Sequence, residues 1–199
     1  MLEHKLLPYR VFLGSASPRR QLLLKELGVN FEILTTANVE ETFPTNIPLA
    51  NVPVYLAALK ANAYAPNLVS GDILITADTV VICEDILLGK PESLVQAAEM
   101  LRFLSGKRHE VITGVTLSTP EKISTFSVST YVYFRELTAD EITFYLDHFR
   151  PLDKAGAYGI QEWIGYIGIE KIEGSYFNVM GLPVQRLYIE LENFVNNIN

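Results

Sequence analysis

Asp78 stands inside the most apolar stretch of the chain, Ile73 to Cys83. Burying a carboxylate in such a strand costs several kcal/mol, on the order of 3–5, unless it is paired or bound to a metal. One reading is an aspartate at a strand end, satisfied by the backbone of a turn. The other is a functional carboxylate, either a general base or a hard oxygen ligand for Mg²⁺. Thr79-Val80-Val81-Ile82 carry the apolar run past Asp78, which favours the second reading. Glu41 is a candidate second carboxylate in a polar loop. Its tandem with Glu40 reads equally well as a solvated acidic pair.

The cations fall into spaced groups. Gly14-Ser15-Ala16-Ser17-Pro18-Arg19-Arg20 lies between an apolar run, Val11-Phe12-Leu13, and a helical pattern from Gln21 to Leu27. Ser17 suits an N-cap and Pro18 the first helical position. Arg19 and Arg20 then occupy the first turn, where each cation costs about 0.3–1 kcal/mol against the helix dipole unless an anion sits there. A helix N-terminus with two guanidinium forks is suited to phosphate, although a solvated arginine pair on an exposed cap fits the same residues. Lys60 falls near the buried stripe of a helical pattern, Val54 to Ala65, together with Leu56, Leu59 and Ala63. Lys90, between Gly89 and Pro91, is either a surface turn lysine or a fixed ammonium that meets an anion. The small residues of the loop from Asp153 to Gly159 allow close backbone approach to a ligand. Gln161 beyond it can both donate and accept, as a pyrimidine edge bearing N–H and C=O requires.

Other chemistries find no support. His4, His109 and His148 lie on separate elements, without a spaced partner for zinc or a triad. Cys83, the single cysteine, sits on an apolar strand, reads as core and fits a reducing compartment. The phosphate loop Gly-x-x-x-x-Gly-Lys-Ser/Thr is absent. Phe126, Tyr131, Tyr133 and Phe134 read as sheet packing, not as a stacking surface for single strands. A net charge of −7 argues against a broad grip on nucleic acid or an anionic membrane, but a small polyphosphate needs only a local cationic cluster. Met1 to Arg10 lacks the apolar core of a signal peptide and no later run spans a bilayer, so the expected location is cytoplasmic.

These residues need elements to hold them. Strands are expected at Arg10 to Leu13, Phe31 to Thr35, Ile73 to Cys83 and Ile86 to Leu88, with a turn at Glu84-Asp85. His109 to Leu117 and Lys122 to Phe134 read as an antiparallel pair, and Tyr166 to Ile172 as a further strand. Helices are expected at Gln21 to Leu27, Val54 to Ala65, Ser93 to Leu104 and Pro183 to Phe194. Another, ending at Phe149, opens on a Thr138/Glu141 capping box. Helices and strands interleave, with 199 residues enough for a substantial core and no linker to divide the chain. The expectation is one α/β domain over residues 1–199, with two lobes as a variant of it: a mixed β-sheet flanked by helices.

Taken in order, the motifs form a pattern. They are Ser15 to Arg20, Lys60-Ala61, Ala77-Asp78-Thr79, Gly89-Lys90-Pro91, Thr113-Gly114-Val115, Asp153 to Tyr158 with Gln161, and Asn178 to Pro183. This set resembles the Maf (septum-formation inhibitor) family of nucleoside triphosphate pyrophosphatases, over nearly the whole chain. The resemblance implies hydrolysis of a nucleoside triphosphate to the monophosphate and pyrophosphate, assisted by Mg²⁺ or Mn²⁺. It implies a fold with a deep nucleotide cleft, similar to inosine triphosphate pyrophosphatases. Members are often homodimeric, and cytoplasmic roles in nucleotide-pool cleansing or cell division go with the family. Arg19, Thr79 and Gln161 match its dTTP/UTP branch; a 7-methyl-GTP branch differs there, and a non-catalytic nucleotide sensor is the alternative of another class. By the same resemblance Asp78 accepts the proton of water. Ser15, Arg19, Arg20, Lys60 and Lys90 bind the triphosphate and Glu41 helps to hold the metal, while Asp78 is either the base or a second metal ligand and not freely both. Gly14 replaces a common Ala, which is expected to be harmless. Glu162-Trp163 replace a common Gly, from which a bulkier or more acidic pocket mouth is expected.

Overall fold

Side-chain periodicity and turn chemistry set most of the element boundaries. In the computed structural model, which describes residues 1–35 and 39–198, the chain opens with α1 (Leu2–Leu6), β1 (Arg10–Leu13), α2 (Pro18–Glu26), β2 (Glu32–Ile33) and α3 (Val52–Tyr64). Then come β3 (Asp72–Cys83), β4 (Ile86–Leu88), α4 (Leu94–Leu104), β5 (Arg108–Ser118) and β6 (Ile123–Phe134). The last third holds α5 (Ala139–Phe149), α6 (Trp163–Gly168), β7 (Ile169–Glu173), α7 (Tyr176–Met180) and α8 (Val184–Asn196). Strand order is β2-β1-β3-β5-β6-β7, with β4 paired to β3 off this path. β1 runs parallel to β2 and β3, whereas β4 on β3 and β7 on β6 are antiparallel. The expected mixed sheet flanked by helices is therefore the fold. No described helix is long and apolar enough to cross a membrane.

Residues divide into two compact units. The first comprises Met1–Asp78, Thr113–Val128 and Gly181–Asn199, the second Thr79–Ile112 and Ser129–Met180.

In the first unit, strand alternation puts Leu74, Thr76 and Asp78 on one face of β3. Leu74 packs with Phe12, Ala61, Tyr64 and Leu68. Thr76 Oγ1 donates to the Ala57 carbonyl of α3 at 2.7 Å. A turn of helix further on from Ala57 comes Lys60, so the same face of α3 that packs on β3 presents an ammonium to Asp78. Two glycines permit the close layers. A Cβ on Gly114 would lie 2.3 Å from the Pro53 carbonyl carbon and the Val54 nitrogen, so the start of α3 rests on bare backbone of β5. A Cβ on Gly14 would lie 2.8 Å from Thr76 Cγ2 and 3.1 Å from Tyr64 Cε2. Alanine at position 14 is thus not interchangeable with glycine here, because Thr76 is held in place by its bond to Ala57.

The second unit has its own apolar core, with Val81, Leu101, Leu104, Tyr145, Tyr158 and Ile164 among its buried residues. The Thr138/Glu141 capping box opens α5 as expected. Tyr166 to Ile172 is not a single strand, however. Trp163–Gly168 is helical and β7 begins only at Ile169. Ile164 and Gly168, four apart, face the core, and one and a half turns are too short for that spacing to stand out in sequence. Phe31 to Thr35 likewise shortens to Glu32–Ile33, and the short helices α1 and α7 join elements that carry little pattern of their own.

His109 is buried, with Nε2 bonded to Tyr158 Oη at 2.8 Å and its ring edge-on to Phe134 and Tyr158. Burial pulls the imidazole down to about 4, well below its ordinary value. The unfolded chain therefore binds a proton at His109 near pH 6.5 that the folded chain takes up only near pH 4. Stability falls as pH drops through that window, by up to about 1.4 kcal/mol per pH unit from this residue. Urea midpoints measured between pH 7 and pH 4 should show that slope, and His109→Gln should flatten it.

Candidate functional site

In the first unit, α2, α3, β3 and the loop before α3 bring charged residues together. Asp78, seventh in the twelve residues of β3, is buried, and β3 runs unbroken through it. The reading as a strand-end aspartate is excluded. Lys60 Nζ lies 2.5 Å from Asp78 Oδ1 and 3.0 Å from Glu41 Oε1, with its side chain only 13% exposed. One ammonium thus gathers two carboxylates from a strand and a loop, and Glu41 is no mere partner of Glu40.

The Ser15–Arg20 segment is knitted by its own groups. Ser15 Oγ accepts from the Ser17 N–H at 3.2 Å, and Gln21 Nε2 donates to the Ser15 carbonyl at 3.3 Å. Ser17 holds the N-cap position of α2 and Pro18 the first turn, as expected, but the Ser17 side chain makes no cap bond. Arg20 Nε donates to the Gly181 carbonyl at 2.8 Å, and its Nη1 lies 3.5 Å from Ser15 Oγ. Burial lowers the Arg20 pKa; Asp78 and Glu41 draw it back up, and Arg19 adds repulsion. The Arg20 guanidinium therefore lies in the fields of Asp78, Glu41 and Arg19 and is fixed at its Nε end by backbone.

Whether this set could hold a divalent cation is a matter of donor chemistry. Asp78 and Glu41 supply hard carboxylate oxygens already grouped around one positive charge. Mg²⁺ typically binds through one or two carboxylates with water and substrate phosphates completing the shell. The pair fits such an ion. Among the described residues no cluster of three or more His, Cys, Asp or Glu forms an all-protein metal cage.

Remaining residues from the sequence reading belong to the second unit. Thr79 follows Asp78 on β3, and alternation turns it to the opposite face. Lys90 is exposed on the segment after β4, which is tied to the Gly/Ala-rich loop by Gly156 N–H donating to the Gly89 carbonyl at 3.1 Å. Gly156 and Ala157 both take positive φ, 68° and 60°. For buried Ala157 that conformation is costly, a mark of a loop held in shape by its surroundings. Gln161 is half-buried, and no described residue bonds to its buried Oε1.

One residue departs from expectation, and its partner is new. Glu162 does not open an acidic mouth: its side chain, 18% exposed, is turned onto Lys154 at 3.1 Å and onto the Tyr145 hydroxyl. Lys154 is buried, pairing with Asp153 at 2.6 Å as well. Sequence reasoning passed over it, because the segment joining it to Glu162 is irregular and no single helix or strand puts the two on one face. The only hint was a lysine set among small residues.

A family model described as Maf-like protein matches residues 10–194. A dTTP/UTP pyrophosphatase from Parabacteroides distasonis is 49% identical over 98% of this chain and 100% of its own length. A dTTP/UTP pyrophosphatase from Phocaeicola vulgatus is 50% identical, over 96% of this chain and 99% of its own. Among solved structures, a HAM1 protein from Coxiella burnetii superposes with a TM-score of 0.43 at 13% identity, over 93% of this chain and 99% of that one, a likeness too slight to build on.

Proposed function

This chain belongs to the Maf family, and from that premise we propose that it hydrolyses dTTP and UTP to the monophosphate and pyrophosphate. Support comes from relatives of about half-identity over nearly the full chain that carry that activity in their names. The structural observation that carries the reading is Lys60 between Asp78 and Glu41, beside the arginine-bearing start of α2.

The reaction places water on the α-phosphorus. As the new P–O bond forms, Asp78 accepts the water proton, the bond from the α-phosphorus to the bridging oxygen breaks, and pyrophosphate leaves. Arg19, Arg20 and Lys60 neutralise phosphate charge, and the Ser15 hydroxyl donates to a phosphate oxygen. Binding of the triphosphate gives the Lys60 ammonium new anionic partners, which loosens its hold on Asp78 and leaves that carboxylate able to act as a base. Glu41, with Asp78 where that carboxylate does not serve as the base, would hold Mg²⁺ or Mn²⁺, which when bound would stabilise charge on the phosphates. Lys90, Thr79 and Gln161 are assigned to substrate binding on the resemblance of their motifs. A role in clearing nucleotide pools in the cytoplasm goes with this reading.

Pyrophosphate release from dTTP, UTP, CTP and 7-methyl-GTP, with Mg²⁺ or Mn²⁺, tests it. Turnover of dTTP and UTP well above the others is the expected result. Activity confined to 7-methyl-GTP would move the chain to the other branch, and binding without any turnover would make it a sensor.

A further inference from the structure

The Gly/Ala-rich loop before Gln161 is held by a buried polar network that the proposed reaction does not use. Glu162 Oε1 accepts from Lys154 Nζ at 3.1 Å, and its Oε2 accepts from the Tyr145 hydroxyl. Tyr145 Oη in turn accepts from the Gly159 N–H at 3.0 Å. Glu162 lies directly over Gly159, where an added Cβ would stand 2.8 Å from the Glu162 carboxyl carbon. One carboxylate therefore ties Lys154, near the start of the loop, to Gly159, near its end, through a fully buried tyrosine of α5. Between that carboxylate and Gly159 in sequence lie only Ile160 and Gln161, and Ile160 is itself buried.

We propose that Glu162 is a positioning residue: by clamping Lys154 and, through Tyr145, Gly159, it fixes where the Gln161 amide points and so sets affinity for the pyrimidine base. The inference rests on the dTTP/UTP reading for its substrate but on the network alone for the clamp. The Gln161 Oε1 atom, buried and without a bonding partner among the described residues, is an acceptor of the kind an imide N–H would satisfy. An amide that must meet a base edge gains from being held before the ligand arrives, since ordering it on binding would weaken affinity. Burial and the facing Glu162 carboxylate raise the Tyr145 phenol above its ordinary range, so it remains a donor throughout the working pH. A second carboxylate, Asp153, also holds Lys154, which keeps that buried ammonium paired when Glu162 is removed.

The test compares Glu162→Ala, Glu162→Gln and Tyr145→Phe by steady-state kinetics and by hydrogen exchange of the Gly159 amide. In Glu162→Ala, KM for dTTP and UTP should rise about tenfold with kcat within about twofold, the pattern of lost ground-state binding. The preference for dTTP over dCTP should narrow, and Gly159 should exchange about 100-fold faster. Glu162→Gln keeps an oxygen for the tyrosine and should recover most of the KM. Unchanged KM and exchange in a folded Glu162→Ala protein would overturn the proposal, as would a loss confined to kcat. Should Glu162→Ala fail to fold by circular dichroism, Tyr145→Phe decides by the same two readouts. A wild-type protein inactive on every nucleotide would end the functional reading, while exchange at Gly159 would still decide the clamp.

Discussion

Asp78→Asn is expected to lower kcat for dTTP and UTP by a factor on the order of 10³ while leaving the melting temperature and KM nearly unchanged. Asparagine has the same shape and keeps a carbonyl oxygen for Lys60, which lies 2.5 Å from Oδ1. It cannot take a proton from water. Replacing a carboxylate by an amide also lowers the negative charge facing Lys60, so triphosphate binding should hold or tighten slightly. Separate measurement of kcat and of nucleotide affinity by calorimetry distinguishes the loss of a base from the loss of a binding group. Turnover within tenfold of wild type would mean that another group activates the water. A collapse of stability would instead mean that the Lys60–Asp78 pair is chiefly a structural contact.

Gly114→Ala should be the most damaging single-methyl change in the first unit. Its Cβ would lie 2.3 Å from both the Pro53 carbonyl carbon and the Val54 nitrogen, and 2.4 Å from the Pro53 oxygen, all main-chain atoms with no rotamer by which to yield. The start of α3 would have to lift from β5, at a cost of about 3 kcal/mol, at the upper end for overpacking. Lys60 rides on α3, so the protein that still folds should carry a displaced ammonium and a weakened Asp78–Glu41 group. Since misplacement by an ångström can cost about 100-fold in rate, kcat should drop with stability rather than independently of it. Urea titration and single-temperature kinetics on the same preparation check both parts; wild-type values for each would show that α3 has slack not evident in its packing.

Much of this site was legible in the sequence for reasons that are local. Asp78 stood out because an ionisable residue inside an apolar strand is expensive, and that expense needs no tertiary information to notice. Pro18 after Ser17 and the following helical spacing located α2 and its arginines, and the Thr138/Glu141 pair located α5. Lys60 could be placed near a buried stripe because a period of 3.6 residues is a property of the helix itself. Element identity also held where the pattern was long, as in β3, β5 and β6, and failed where elements were short, as at Trp163–Gly168.

Partnership, by contrast, was decided only by the tertiary structure. Nothing in the sequence spacing joins Glu41 to Lys60, because one lies in a loop without period and the other on a helix, and only the folded path of that loop brings the carboxylate to 3.0 Å from the ammonium. Glu162 read as an acidic addition to a pocket mouth, since sequence reports a charge but not which way its side chain folds. In the chain's own geometry it turns inward to Lys154 and Tyr145, residues eight and seventeen positions away, where a paired carboxylate costs far less than an unpaired one. The sequence by itself determined the kinds of residue, their local conformation and the family pattern; the tertiary structure decided which charges neutralise one another. Hydrogen bonding and ion pairing act within about 3 Å, and separation along the chain carries no record of distances that short.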